Sequence, residues 1–247
     1  MERPLASYID HTILKVEATR EEVLRVVAEA AEHGFASVVV PPCYVEEAVA
    51  ALAEEGERPM VPVGTVVAFP FGWADPRVRL EEARRAVEHG ARELDTVMNV
   101  ARLKSGDTGW VLDDLAGWVE ALRATEEELV LKVIVETACL TDDEKGVAAG
   151  LVVEAGADFV KTSTGFAVGP TGEEIDPDRP PGGGATVKDV KLLVKAVDGK
   201  VRVKAAGGIR DAETALALIE AGADRLGTSA GVRILEDWEE RRRTEAY

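Results

Sequence analysis

Two short runs place a lysine where a buried strand would carry apolar side chains: Asp158-Phe-Val-Lys161-Thr-Ser-Thr-Gly165 and Val201-Arg-Val-Lys204-Ala-Ala-Gly-Gly208. Burying an ammonium is costly unless it is paired or has lost its proton. Two such lysines brought together suit imine chemistry. A lysine near its reference pKa of about 10.4 is almost wholly protonated at neutral pH and does not attack a carbonyl. A second ammonium close by, with partial desolvation, disfavours the charged form and frees the amine. The iminium it makes with an aldehyde or ketone withdraws electrons and stabilises an adjacent carbanion as an enamine. A carboxylate such as Asp95 must then move protons as the carbinolamine forms and collapses. This chemistry needs no metal and no organic cofactor. The residues alone do not rank Lys161 over Lys204.

The ionisable residues at or within strand-like runs are Asp10, Asp95, Lys132, Glu136, Lys161, Arg202 and Lys204. Such a set satisfies its own charges if it converges on a barrel axis, where barrel active sites lie. His11, His33 and His89 are scattered and give no metal signature, and Cys43 and Cys139 read as reduced thiols. A separate feature points to phosphate. Ala206-Gly207-Gly208-Ile-Arg210 and Leu226-Gly227-Thr-Ser229-Ala-Gly231 each follow a strand and open a helix. Backbone N–H groups there can hold an anion, in the two loops where phosphate-binding barrels place it.

The elements that must position these residues repeat. Four times a helical pattern ends in glycine just before a strand, at Gly34, Gly90, Gly156 and Gly222, the last three evenly spaced. Filling the intervals predicts strands over Ser7–Thr12, Ser37–Pro41, Pro62–Phe69, Glu93–Asn99, Val130–Glu136, Phe159–Thr164, Val201–Ala205 and Arg225–Gly227. The helices fall over Arg20–His33, Val45–Glu54, Pro76–His89, Trp110–Ala124, Asp142–Ala155, Val187–Val197, Ala212–Ala221 and Gly231–Glu239. Strands of continuous β-branched character are buried on both faces, which implies a parallel sheet. Eight such units predict an α/β fold, one (β/α)8 TIM barrel over residues 1–247. The Pro- and Gly-rich stretch 166–185 interrupts the repeat and reads as a long loop after strand six, either a surface insertion or a lid.

The chain has 247 residues, a 46% hydrophobic content and a net charge of −17. That balance supports a sizeable core and argues against nucleic acid or an anionic membrane surface as partner. An anionic substrate would need a local positive patch. Met-Glu-Arg-Pro lacks the start of a signal peptide, and no apolar run reaches the roughly 18 residues of a membrane helix. A cytoplasmic protein is expected.

Phe159-Val-Lys-Thr-Ser-Thr-Gly-Phe166, Val203-Lys-Ala-Ala-Gly-Gly-Ile-Arg210 and Leu226-Gly-Thr-Ser229 resemble the signature runs of the deoxyribose-phosphate aldolases, a class I aldolase family. So do Ile9-Asp-His-Thr-Ile-Leu14, Leu94-Asp-Thr-Val-Met-Asn99, Leu103-Lys-Ser-Gly-Asp107 and Leu131-Lys-Val-Ile-Val-Glu-Thr137. The resemblance runs in order from about residue 5 to 235. It implies that Lys161 forms the Schiff base, Lys204 perturbs its pKa and Asp95 shuttles protons. Asp10, Thr12, Lys132 and Thr164 would line the substrate pocket, and Gly165, Gly207, Gly208, Gly227 and Ser229 would bind phosphate. The implied reaction is reversible cleavage of 2-deoxy-D-ribose 5-phosphate to acetaldehyde and D-glyceraldehyde 3-phosphate, without a cofactor. A homo-oligomer, dimer or tetramer, is expected of this fold.

Three features depart from that pattern. Val39-Val-Pro-Pro42 stands where many members carry Cys-Val-Asn-Pro, the loop Ala167–Arg179 is long, and Tyr247 follows a run unlike the family's tail. Other readings compatible with the residues are a Schiff-base aldolase acting on a keto-acid or ketose phosphate, and a phosphosugar isomerase using Asp95 as base. A phosphosugar sensor without turnover is a third.

Overall fold

Eight short parallel strands pair in chain order and close on themselves, β1 against β8, into a barrel. The computed structural model describes residues 3–54, 61–126, 128–167, 179–180 and 182–245. The strands are β1 Ile9–Thr12, β2 Ser37–Val40, β3 Val63–Val67, β4 Glu93–Val97, β5 Val130–Ile134, β6 Phe159–Lys161, β7 Arg202–Ala206 and β8 Arg225–Thr228. The helices are α1 Arg20–His33, α2 Val45–Glu54, α3 Pro76–Glu88, α4 Val100–Lys104, α5 Thr108–Arg123, α6 Asp142–Glu154, α7 Val187–Val197, α8 Ala212–Glu220 and α9 Gly231–Glu245. The expected (β/α)8 barrel is the observed fold. Among the described residues, no helix is long and apolar enough to cross a membrane.

Local chemistry explains why these segments stop and start where they do. Thr19 and Glu22 form a reciprocal capping box at the start of α1, and Thr141 and Glu144 form another at α6. Gly34 ends α1 in the left-handed region at φ 61°, which costs glycine no Cβ clash. The apolar side of the helices packs on the outward face of the strands in one continuous cluster, with Val23, Val27 and Ala30 of α1 joining Val38 and Val40 of β2. The alternation along each strand then turns every second residue inward. On β4, Leu94 joins the outer core while Glu93 and Asp95 reach across to Lys132 of β5.

Several boundaries differ from the sequence expectation. β6 stops at Lys161, not Thr164. There the Thr162 hydroxyl accepts from Ala206 N at 3.1 Å, so side chain replaces ladder. Leu5–Tyr8 is a 3-10 turn and not the start of β1. The short helix α4 was not expected; Asn99 caps it by accepting from Arg102 N at 3.1 Å. α9 runs past Glu239, its surface carrying an Arg243–Glu239 pair at 3.4 Å one turn apart. Most of the 166–185 loop, and Tyr247, lie outside the described residues. Its described end packs against the barrel mouth, where Ala185 N donates to Ala206 O at 3.0 Å and Gly207 O at 3.2 Å. Arg179 there pairs with the buried Asp189 of α7 at 2.8 Å.

Candidate active site

Asp95 sits at the centre of the barrel interior and receives three lysines. Lys161 and Lys204 each donate to its Oδ2 at 2.8 Å, and Lys132 to its Oδ1 at 2.9 Å. Register makes this possible. Asp95 lies beside Lys132 in the β4–β5 pair, and Lys161 beside Lys204 in the β6–β7 pair. Around this hub, Lys132 also pairs with Glu93 at 2.6 Å and Lys204 with Asp10 at 2.5 Å. Arg225 closes the ring from β8, bonding Asp10 and, at 3.2 Å, Glu93. All of these groups but Arg225 are buried.

The charges do not balance. Four cations (Lys132, Lys161, Lys204 and Arg225) face three carboxylates (Asp10, Glu93 and Asp95). Lys132 has three carboxylates within ion-pair distance and Lys204 and Arg225 two each, whereas Lys161 has Asp95 alone among the described residues. Lys161 is therefore the group for which losing a proton costs least. Burial pushes its pKa down to about 8; Asp95 opposes that, and the Lys204 and then Lys132 ammonium groups add to it. Lys132 goes the other way, because Asp95 and Glu93 outweigh its burial. Asp95 is held well below the carboxylate range: burial would raise it, but three ammonium groups prevail. The arrangement can keep one nucleophilic amine at the C-terminal end of a barrel strand, with charged groups fixed beneath it.

The glycines expected at the phosphate meet at the same end. Gly165, Gly207 and Gly208 have φ of 83°, 87° and 78°, a conformation that L side chains rarely adopt. A Cβ on Gly207 would lie 3.5 Å from Gly165 Cα and 2.9 Å from Gly184 Cα, so the two loops touch through backbone. Gly227 has a second use, since a Cβ there would stand 3.1 Å from Lys204 Cε. Ser229 is exposed at the end of β8, and α9 starts two residues later. The β7 loop differs from expectation. Gly207 and Gly208 do not form the first turn of α8; Ile209, Arg210 and the capping Asp211 intervene.

The structure thus gathers Lys161, Lys204, Asp95, Asp10 and Lys132 into one cluster. It puts Thr12 and Thr164 half-buried at the mouth with their hydroxyls engaged, Thr12 donating to Asp10 O at 2.9 Å and Thr164 to Glu136. Arg202 does not join. It is exposed below the cluster, its guanidinium 4.1 Å from the centre of the Phe159 ring. Glu93 and Arg225 were missed because each begins a strand. The available signal was spacing, since Glu93 stands two residues before Asp95 and so shares its face. Among the described residues, no group of His, Cys, Asp and Glu could hold a metal ion.

Comparison with known proteins is consistent along the chain. A model of the DeoC/LacD family aldolases matches residues 5–237. The chain is 47% identical over 234 residues to the deoxyribose-phosphate aldolase of Caldanaerobacter subterraneus subsp. tengcongensis, covering 95% of this chain and 93% of that one. It is 46% identical over 236 residues to deoxyribose-phosphate aldolase 1 of Bacillus licheniformis, covering 96% of each. Among solved structures, the deoxyribose phosphate aldolase of Aeropyrum pernix, described as a unique tetramer, superposes with a TM-score of 0.81 at 33% identity over 96% of this chain and 92% of that one. Because sequence and backbone agree from the first barrel strand to the last, the chain belongs to the DeoC/LacD family of aldolases.

Proposed function

We propose that this chain cleaves 2-deoxy-D-ribose 5-phosphate reversibly to acetaldehyde and D-glyceraldehyde 3-phosphate through an imine on Lys161. As a deoxyribose-phosphate aldolase it is a carbon–carbon lyase of deoxyribose phosphate catabolism. The observation that carries the residue assignment is the excess cation at Lys161. With its pKa at about 8, about one amine in ten is neutral at pH 7, against fewer than about one in a thousand for an ordinary lysine.

The neutral Lys161 amine adds to C1 of the open-chain sugar, and the carbinolamine loses water to give the iminium. The C3 hydroxyl gives up its proton, the C2–C3 bond breaks, and its electron pair enters the enamine while C3 becomes the aldehyde of glyceraldehyde 3-phosphate. Protonation at C2 and hydrolysis of the iminium then release acetaldehyde and restore the lysine. Lys204, sharing Asp95 Oδ2 with Lys161, keeps that amine depressed, and Asp95 passes protons through water between the two lysines and the reacting atoms. Asp10 holds Lys204 and Lys132 holds Asp95 from behind, with Thr12 and Thr164 at the sugar. Gly165, Gly207, Gly208, Gly227 and Ser229 receive the phosphate on backbone N–H groups and one hydroxyl.

The chain works as one domain and as a homo-oligomer in the cytoplasm, in keeping with its free thiols Cys43 and Cys139. The direct test supplies 2-deoxy-D-ribose 5-phosphate and measures both products. Equal amounts of acetaldehyde and D-glyceraldehyde 3-phosphate are expected. Conversion to another phosphosugar without acetaldehyde would replace this reading with an isomerase.

A further inference from the structure

Glu136 is a buried carboxylate that the mechanism above does not use. It lies just past the end of β5, in the inward series with Lys132 and Ile134. Its backbone is left-handed, at φ 55° and ψ 66°, a conformation that a side chain with a Cβ adopts only under constraint. Flanking bonds supply that constraint. Val135 N donates to Lys161 O at 3.0 Å and Thr137 N to Thr162 O at 2.8 Å, so Glu136 is gripped between two links to the Lys161 segment.

What the carboxylate does with that placement is specific. Thr164 N donates to both of its oxygens at 3.3 Å, and the Thr164 hydroxyl donates to Oε2. The same hydroxyl accepts from Phe166 N at 3.0 Å, which closes a tight turn around Gly165. Gly165 in turn lies against Gly207. Lys161, three residues before Thr164, is fixed separately by Asp95. One side of this turn therefore answers to Asp95 and the other to Glu136.

Resting on the functional reading above, we propose that Glu136 is a positioning residue that sets the affinity for the phosphorylated aldehyde by holding the Thr164–Gly165 turn against the β7 glycines. Its burial pushes its carboxyl up, and the Thr164 bonds and the Lys161 and Arg179 charges pull the other way. Its contribution to the reaction is geometric. It touches no reacting atom and acts on the phosphate through Thr164.

The test runs the reaction towards synthesis and measures the two Michaelis constants separately. In Glu136→Ala the KM for D-glyceraldehyde 3-phosphate should rise about tenfold, the loss expected for one charge-assisted hydrogen bond. The KM for acetaldehyde, which reports Lys161, should stay within about twofold, because that lysine has its own anchor. Glu136→Gln should recover most of the loss, since one amide oxygen can accept from both Thr164 donors. Should Glu136→Ala fail to fold, Glu136→Asp draws the carboxylate back from Thr164 by one methylene and should give the same split at smaller size. Both constants rising together, or neither changing, would overturn the proposal. Wild-type enzyme that fails to form an acetaldehyde adduct on Lys161 would instead overturn the functional reading on which it rests.

Discussion

At the scale of single residues, catalysis turns on which lysine is short of a carboxylate. Lys132 has three within ion-pair distance and Lys204 two, and Lys161 shares its one with both of them. Lys161 works as the neutral amine, so kcat/KM should rise with pH through about 8, where half of the group has lost its proton, and level off above it. Lys204→Leu removes one of the two ammonium groups that depress it and leaves Asp95 less neutralised. Turnover should fall, and the acidic limb of the pH–rate profile should move to higher pH. An unmoved limb would deny Lys204 that electrostatic part. The residue types were legible in the sequence, because a lysine inside an apolar strand run is conspicuous. Their ranking was not, since it depends on how many carboxylates each finds across strands far apart in the chain. Glu93 and Arg225 were hidden because each begins a strand, and Arg202, two residues before Lys204, is exposed at the other end of the barrel.

At the scale of elements, strand ends and helix caps decide where the side chains point. The Thr141–Glu144 capping box starts α6 on the exposed side, away from the lysine cluster. Thr141→Ala should cost about 1 kcal/mol and lower Tm by about 2–4 °C for a chain of this size, with kcat unchanged. A loss of kcat without a loss of Tm would mean that the β5–α6 connection acts on the site directly. Caps and helix-ending glycines were readable as sequence patterns, since each depends on neighbours within a few residues. Strand ends were less so. Thr162, Ser163 and Thr164 carry strand-forming side chains, yet their hydroxyls bond Ala206, Thr162 and Glu136 and turn the chain out of the ladder. Ala206 and Glu136 are remote in sequence from the threonines they bond, and no local pattern announces them.

At the scale of the whole molecule, the barrel divides its charge. A net charge of −17 covers the chain as a whole, while the cluster around Asp95 sets Lys132, Lys161, Lys204 and Arg225 against Asp10, Glu93 and Asp95. An anionic sugar phosphate is drawn to that cluster against a repelling surface. The fold was legible because the helix–glycine–strand unit repeats, and a repeated βα unit has few ways to bury its strands on both sides. Assembly was not, because no strand pattern reports on a partner. Sedimentation at neutral pH should return an integral multiple of the 26.4 kDa chain mass, two or four; a monomer would remove oligomerisation from the account.

The most direct test of the central claim is borohydride reduction of the enzyme mixed with acetaldehyde, followed by peptide mass mapping. One two-carbon ethyl adduct is expected, on Lys161, and none in Lys161→Ala. An adduct on Lys204 would keep the imine and exchange the two lysines' roles. A folded enzyme with no site-specific adduct would contradict the covalent mechanism.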